Sequence, residues 1–264
     1  MDLQLQGKRA LVTGSTLGIG FAAALGLARE GAQVVVNGRT RARVDQAADQ
    51  IRAQVPGAIV TAVAADLSGA AGCAALIRDL PDLDVLVNSL GIFEPKPFGE
   101  ISDADWLRFF ETNVMSGVRL ARHYLPGMRE RDWGRIIFVS SESAVQIPAE
   151  MIHYGMTKTA QVAVARGLAE TTAGTGVTVN SVLPGPTRSE GVAVFVEQMA
   201  QQRGISFAAM EKEFFDTARP SSLLRRFATV EEVANMIVYL CGAGASATNG
   251  AALRVDGGVV RAIL

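Results

Sequence analysis

The chain has 264 residues, a net charge of −1, 49% hydrophobic and 19% charged residues, a composition that buries a large core and excludes intrinsic disorder. The balanced charge gives no basis for binding nucleic acid or anionic membrane, and no apolar run is long enough to span a bilayer. Two distant cysteines, Cys73 and Cys241, make no disulfide framework, and the start MDLQLQGKRALVTG reads as no signal peptide, so the expected compartment is the cytoplasm.

In chain order, short β-branched runs alternate with longer Ala-rich segments of helical period. Residues 9–13 (RALVT) read as a buried strand and 19–29 as the helix after it. A strand at 33–37 (QVVVN) precedes an amphipathic helix at 41–54; a strand at 59–64, a helix at 70–79 and a strand at 84–87 follow. Two helices are predicted at 103–110 and 113–131, then a strand at 135–140, a long helix at 154–172, a strand at 177–182, a helix at 231–240 and a last strand at 252–255. This alternation predicts an α/β fold with a parallel, doubly wound sheet, helices on both faces and ligands at the carboxyl ends of the strands. With no repeat and no Pro/Ser linker, residues 1–264 form one domain. The segment 189–226 breaks the rhythm and is expected to be a substrate flap over the strand ends. Val192, Phe195, Val196 and Met199 recur there at helical spacing, as do Phe207, Met210, Phe214 and Phe215, either to cover the cleft or to pack on the body.

Between the first strand and helix lies Thr13-Gly14-Ser15-Thr16-Leu17-Gly18-Ile19-Gly20. Glycines there permit a tight turn and let the backbone approach a pyrophosphate, while the helix N-terminus offers unpaired N–H groups. The second strand ends in Asn37-Gly38-Arg39-Thr40, with no carboxylate to hold both ribose hydroxyls. Arg39 can instead grip a 2′-phosphate, and Arg41 and Arg43 add positive potential, so NADP(H) is expected over NAD(H).

Tyr154 and Lys158 stand four residues apart and share a helix face. A neighbouring ammonium stabilises a phenolate and would let Tyr154 exchange protons with a substrate oxygen. Ser141 follows the fifth strand and can donate to a developing alkoxide. Asn113 is a poor helix former inside a helical pattern, which fits either a polar role such as holding a relay water, or a local bend. Glu142, Glu150 and His153 lie nearby in sequence; any of them could bind a polar substrate group, but they read better as solvated loop residues. His153 has no partner at metal-site spacing.

Together these motifs resemble the short-chain dehydrogenase/reductase family along nearly the whole chain. TGSTLGIG resembles its cofactor turn, Asp66 with Leu67 in AADLS its adenine contact, and Asn88 and Gly91 in VLVNSLG its Asn-Asn-Ala-Gly segment. LPGPTRS resembles the stretch that cradles the carboxamide, through Pro184, Gly185, Thr187 and Ser189, and RVDGG at 254–258 resembles the carboxy-terminal signature. Ser89, Leu90 and Leu17 depart from common family residues. The resemblance implies a seven-stranded Rossmann-like sheet, NAD(P)(H), a small-molecule carbonyl or alcohol substrate, and a homo-oligomer, tetramer or dimer. It also implies Asn113, Ser141, Tyr154 and Lys158 as a catalytic tetrad. Tyr154 would be the acid/base, Ser141 would orient the substrate oxygen, Lys158 would lower the phenol's pKa and hold ribose, and Asn113 would support a water relay. The expected function is hydride transfer between nicotinamide and a carbonyl or secondary alcohol. The competing reading, a non-catalytic dinucleotide-binding sensor or assembly subunit, would need only the glycine turn.

Overall fold

Residues 2–263 are described by the computed structural model, with the side chain of Phe195 outside the described set. Seven parallel strands run in the order β3-β2-β1-β4-β5-β6-β7: β1 Arg9–Val12, β2 Gln33–Gly38, β3 Val60–Ala64, β4 Val85–Asn88, β5 Gly134–Val139, β6 Val177–Pro184 and β7 Ala252–Val255. The connecting helices are α1 Gly18–Arg29, α2 Arg41–Gln54, α3 Ala70–Asp79, α4 Asp103–Phe110, α5 Ser116–Glu130, α6 Ile152–Glu170, α7 Glu190–Gln202, α8 Phe207–Thr217 and α9 Val230–Cys241.

Side chains alternate between two cores, as the pleat requires. Val12, Val36, Val87 and Val139 face α1, α2 and α9 on one side. Leu11, Val35, Leu86 and Phe138 face α3, α5 and α6 on the other. Because both faces are covered, the strands read as continuous apolar runs. Cys73 and Cys241 are free thiols inside these layers, both raised by desolvation.

The expected helices at 103–110 and 113–131 are one interrupted helix. A π turn, Glu111–Met115, joins α4 to α5 and contains Asn113. The segment 189–226 is a helical hairpin with a small core of its own, built on Val196, Met210, Phe215 and Phe227. Phe214 stacks on Phe227 and Phe215 meets both rings edge-on, with centroids 5.1 to 5.2 Å apart, and Arg203 ties α7 to α8 through Glu213 at 2.7 Å.

Candidate active site

Strand order reverses direction between β1 and β4, so their carboxyl ends splay apart and leave a crevice. A cleft of about 600 Å³ occupies it, lined by the β1–α1 turn, the ends of β4, β5 and β6, the start of α6 and the hairpin. Gly14 has φ +61°, and an added Cβ there would stand 3.1 Å from Leu90 Cα. At Gly20 a Cβ would come within 2.5 Å of the Gly14 carbonyl oxygen. The turn therefore tolerates no side chain at either position.

Helix α1 starts with no side-chain cap, which leaves its first N–H groups, at Gly18, Ile19 and Gly20, open to an anion. Leu17, Gly91, Pro184, Gly185, Thr187 and Ser189 line the same cleft. This cradle, with uncapped donors and backbone-close glycines, fits a dinucleotide pyrophosphate.

The other expected cofactor residues lie outside the lining of this cleft. Ser15 is buried; its hydroxyl donates to the Val12 carbonyl (2.7 Å) and accepts the Asn37 N–H (2.9 Å), tying the turn to β2. Thr16 packs over Gly38, where a Cβ would meet its methyl at 2.5 Å. The Leu67 side chain is buried in the core, so only its backbone is available to a ligand. Asn88 is buried with neither amide atom partnered. Asp66 is exposed; the Ser68 N–H and hydroxyl, with the Arg39 charge as a further cause, hold its carboxyl below the usual range. Arg39 and Asp66 thus share the outer end of β2 and β3, while Arg41 is taken by Asp45 at 2.8 Å.

Tyr154, Ser141 and Lys158 meet in the cleft. The Tyr154 phenol is raised above the ordinary tyrosine value by desolvation; the neighbouring Ser141 hydroxyl works against that, Glu142 adds to it and Arg219 opposes it. Lys158 is not among the groups that set this shift in the chain alone. The reason is local. The Lys158 ammonium stands 5.5 Å from the centroid of the Tyr154 ring, donates to the Val139 carbonyl (3.0 Å) and Gln161 Oε1 (3.1 Å), and is drawn down to about 8 by burial.

Asn113 is fully buried, and its side chain is spent. Oδ1 accepts the Ile92 N–H (2.8 Å), and Nδ2 donates to the Ile92 carbonyl and Thr157 Oγ1 (3.0 Å each). Of the two readings of Asn113, the bend with a satisfied amide is the one observed. Its main-chain carbonyl accepts from Gln161 Nε2 at 2.6 Å, so Gln161, absent from the sequence reading, links Asn113 to Lys158.

Two further expectations are corrected. His153 is not a loop residue: it lies on α6, fully buried, its ring 4.0 Å from that of Phe109 and 6.0 Å from that of Trp106. No metal-holding cluster occurs among the described residues. Glu142 is buried too, receiving the Ser141 hydroxyl at 2.5 Å and Arg219 Nε at 3.2 Å. Glu150 remains half-exposed. In the hairpin, Val192, Val196, Met199, Met210 and Phe214 line the cleft, whereas Phe207 and Phe215 turn into the hairpin's own packing. The expectation for Phe195 falls on a side chain outside the described residues.

The parallel sheet thus brings an uncapped glycine turn, a phenol, a hydroxyl and an ammonium to one cleft. A family model described as enoyl-(acyl carrier protein) reductase matches residues 14–260, and the chain belongs to the short-chain dehydrogenase/reductase family. It is 47% identical over 263 residues to YvaG of Bacillus subtilis, an oxidoreductase itself uncharacterized, with all of both chains covered. It is 35% identical to a D-β-hydroxybutyrate dehydrogenase of Cupriavidus necator, covering 97% of this chain and 99% of that one. The crystal structure of L-sorbose reductase from Gluconobacter frateurii, complexed with NADPH and L-sorbose, superposes with a TM-score of 0.94 at 32% identity and full coverage of both chains.

Proposed function

We propose that the chain is an NADP(H)-dependent oxidoreductase that interconverts a carbonyl compound and its alcohol, with Tyr154 moving the proton at the substrate oxygen. The observation that carries this is convergence: the glycine turn and the Tyr154 phenol open onto one cleft. NADP(H) is supported by Arg39 at the end of β2, by the absence of an acid there, and by the NADPH in the L-sorbose reductase structure. A bound nicotinamide dinucleotide supplies or takes the hydride. Desolvation keeps the Tyr154 phenol protonated and so available to donate when a carbonyl is reduced, while the positive charge of Lys158 eases the proton's departure. The Ser141 hydroxyl holds the substrate oxygen beside that phenol. Lys158, seated by Val139 and Gln161, places a positive charge under the proton donor, and Asn113 keeps that seat rigid through its carbonyl and its bonds to Ile92.

The hairpin 189–226 acts as a flap whose apolar face covers the substrate. Two free, buried cysteines fit the cytoplasm, and no helix among the described residues is long and apolar enough to cross a membrane. Exposed Leu107 (70%) and Phe110 (38%) on α4 support a homo-oligomer, dimer or tetramer.

The test is a panel of ketones and alcohols followed by NADPH absorbance, with NADH alongside. Tyr154→Phe is expected to lower kcat by about 100-fold or more while NADPH still binds, and Arg39→Asp to shift preference toward NADH. Turnover that survives in Tyr154→Phe rejects the acid/base role. Silence of the wild type on every compound favours the non-catalytic binder.

A further inference from the structure

The Ser141 side of the cleft holds a charge cluster that reduction of a simple ketone does not require. Glu142 has a side chain only 7% exposed. Its Oε2 accepts the Ser141 hydroxyl at 2.5 Å, and its Oε1 accepts Arg219 Nε at 3.2 Å. Arg219, itself 11% exposed, comes from the hairpin and also gives Nη1 to Glu150 Oε1 at 3.2 Å. A buried carboxylate thus lies one hydrogen bond from the hydroxyl that holds the reacting oxygen, and its cation is already divided between two acids.

We propose that Glu142 selects the substrate: the cleft takes an uncharged ketone with a hydroxyl on the carbon next to the carbonyl, and Glu142 accepts that hydroxyl. This rests on Ser141 and Tyr154 holding the reacting oxygen, as proposed above. The Ser141 hydroxyl has one proton to donate. When it turns to the substrate carbonyl, Glu142 Oε2 loses its donor in a buried position, and an unmade hydrogen bond to a buried charge is costly. A substrate hydroxyl on the adjacent carbon restores the bond; a plain ketone leaves it broken.

The spacing matches. A carbonyl oxygen and a neighbouring hydroxyl oxygen on the same side lie about one hydrogen-bond length apart, ~2.7 Å, against 2.5 Å between Ser141 Oγ and Glu142 Oε2. A carboxylate offers about four acceptor sites, so the Arg219 pairing survives the exchange. A keto acid fares worst. It brings a second carboxylate against Glu142 in a desolvated cleft where Arg219 has little left to give.

Hydroxyacetone, acetone and pyruvate share one carbon skeleton and isolate these differences. With saturating NADPH, kcat/KM for hydroxyacetone is expected to exceed that for acetone by about tenfold or more, with pyruvate lowest. Glu142→Ala collapses the hydroxyacetone-to-acetone ratio toward one. Glu142→Gln, which removes the charge but keeps the shape, raises the pyruvate-to-hydroxyacetone ratio about tenfold and carries the test if the alanine variant does not fold. Thermal melting and NADPH fluorescence identify folded variants. A wild-type ratio near one, or ratios unmoved in a folded variant, overturns the proposal. Turnover of other ketones but none of these three overturns the selection and spares the oxidoreductase reading. Silence on every carbonyl, with NADPH bound, strikes that reading itself and the selection with it.

Discussion

Lys158 and Tyr154 are shifted in opposite senses by the same cause. Burial removes water from both, so the phenol holds its proton more tightly and the ammonium less tightly, falling to about 8. On the carbonyl-reducing side the proton donor therefore stays loaded as pH rises, while the cation beneath it is lost. The kcat/KM for NADPH reports ionisations of the free enzyme. It is expected to be level below about pH 8 and to fall about tenfold per unit above it, as the lysine goes neutral. A profile that stays level to about pH 10 would show that a charged Lys158 is not needed.

The interrupted helix from α4 to α5 sets the depth of the site. A π turn carries one residue more than an α turn and appears where a side chain must reach a place the regular helix would deny it. Here it delivers the Asn113 amide to both main-chain groups of Ile92 and to Thr157. Asn113→Ala leaves both main-chain groups of Ile92 without partners, while Thr157 keeps its bond to the Tyr154 carbonyl, and the loss is expected to cost about 2–3 kcal/mol. Read as melting temperature, that is a drop of roughly 5–10 °C; a variant that melts within about 2 °C of wild type refutes the structural role.

The same element marks where sequence reasoning ends. Local patterns were enough for the sheet, the glycine turn and the Tyr154–Lys158 pair, because each is written within a few adjacent residues. The odd Asn113 flagged the bend, but the two helices inferred around it are one. Glu142 looked solvated because nothing near it in sequence is basic; it is buried by Arg219, 77 residues away. Gln161 went unnoticed for a similar reason: its meaning lies in bridging α6 to the π turn 48 residues earlier. His153 reads as a loop residue in sequence because the aromatic neighbours that bury it come from α4.

At the scale of the molecule, the fold leaves α4 with apolar side chains facing outward. Leu107 is 70% exposed and Phe110 38%, and exposed apolar groups of this kind mark association surfaces when they are contiguous. Light scattering on the purified chain is expected to give two or four times the mass of one chain, and Leu107→Glu with Phe110→Glu to give a smaller species. A single-chain mass for the wild type would reject the homo-oligomer.

The seam between β1 and β4 also fixes an order of events. Thr13 Oγ1 accepts the N–H groups of Ser89 and Leu90, both at 3.0 Å, from the turn after β4, 76 and 77 residues further along the chain. As the polypeptide leaves the ribosome, the first strand and its loop emerge early yet lack one wall until residue 90 is out. A nascent chain accordingly carries the glycine turn long before its cleft, since this wall needs the first third of the sequence and the walls at the ends of β5 and β6 come later still.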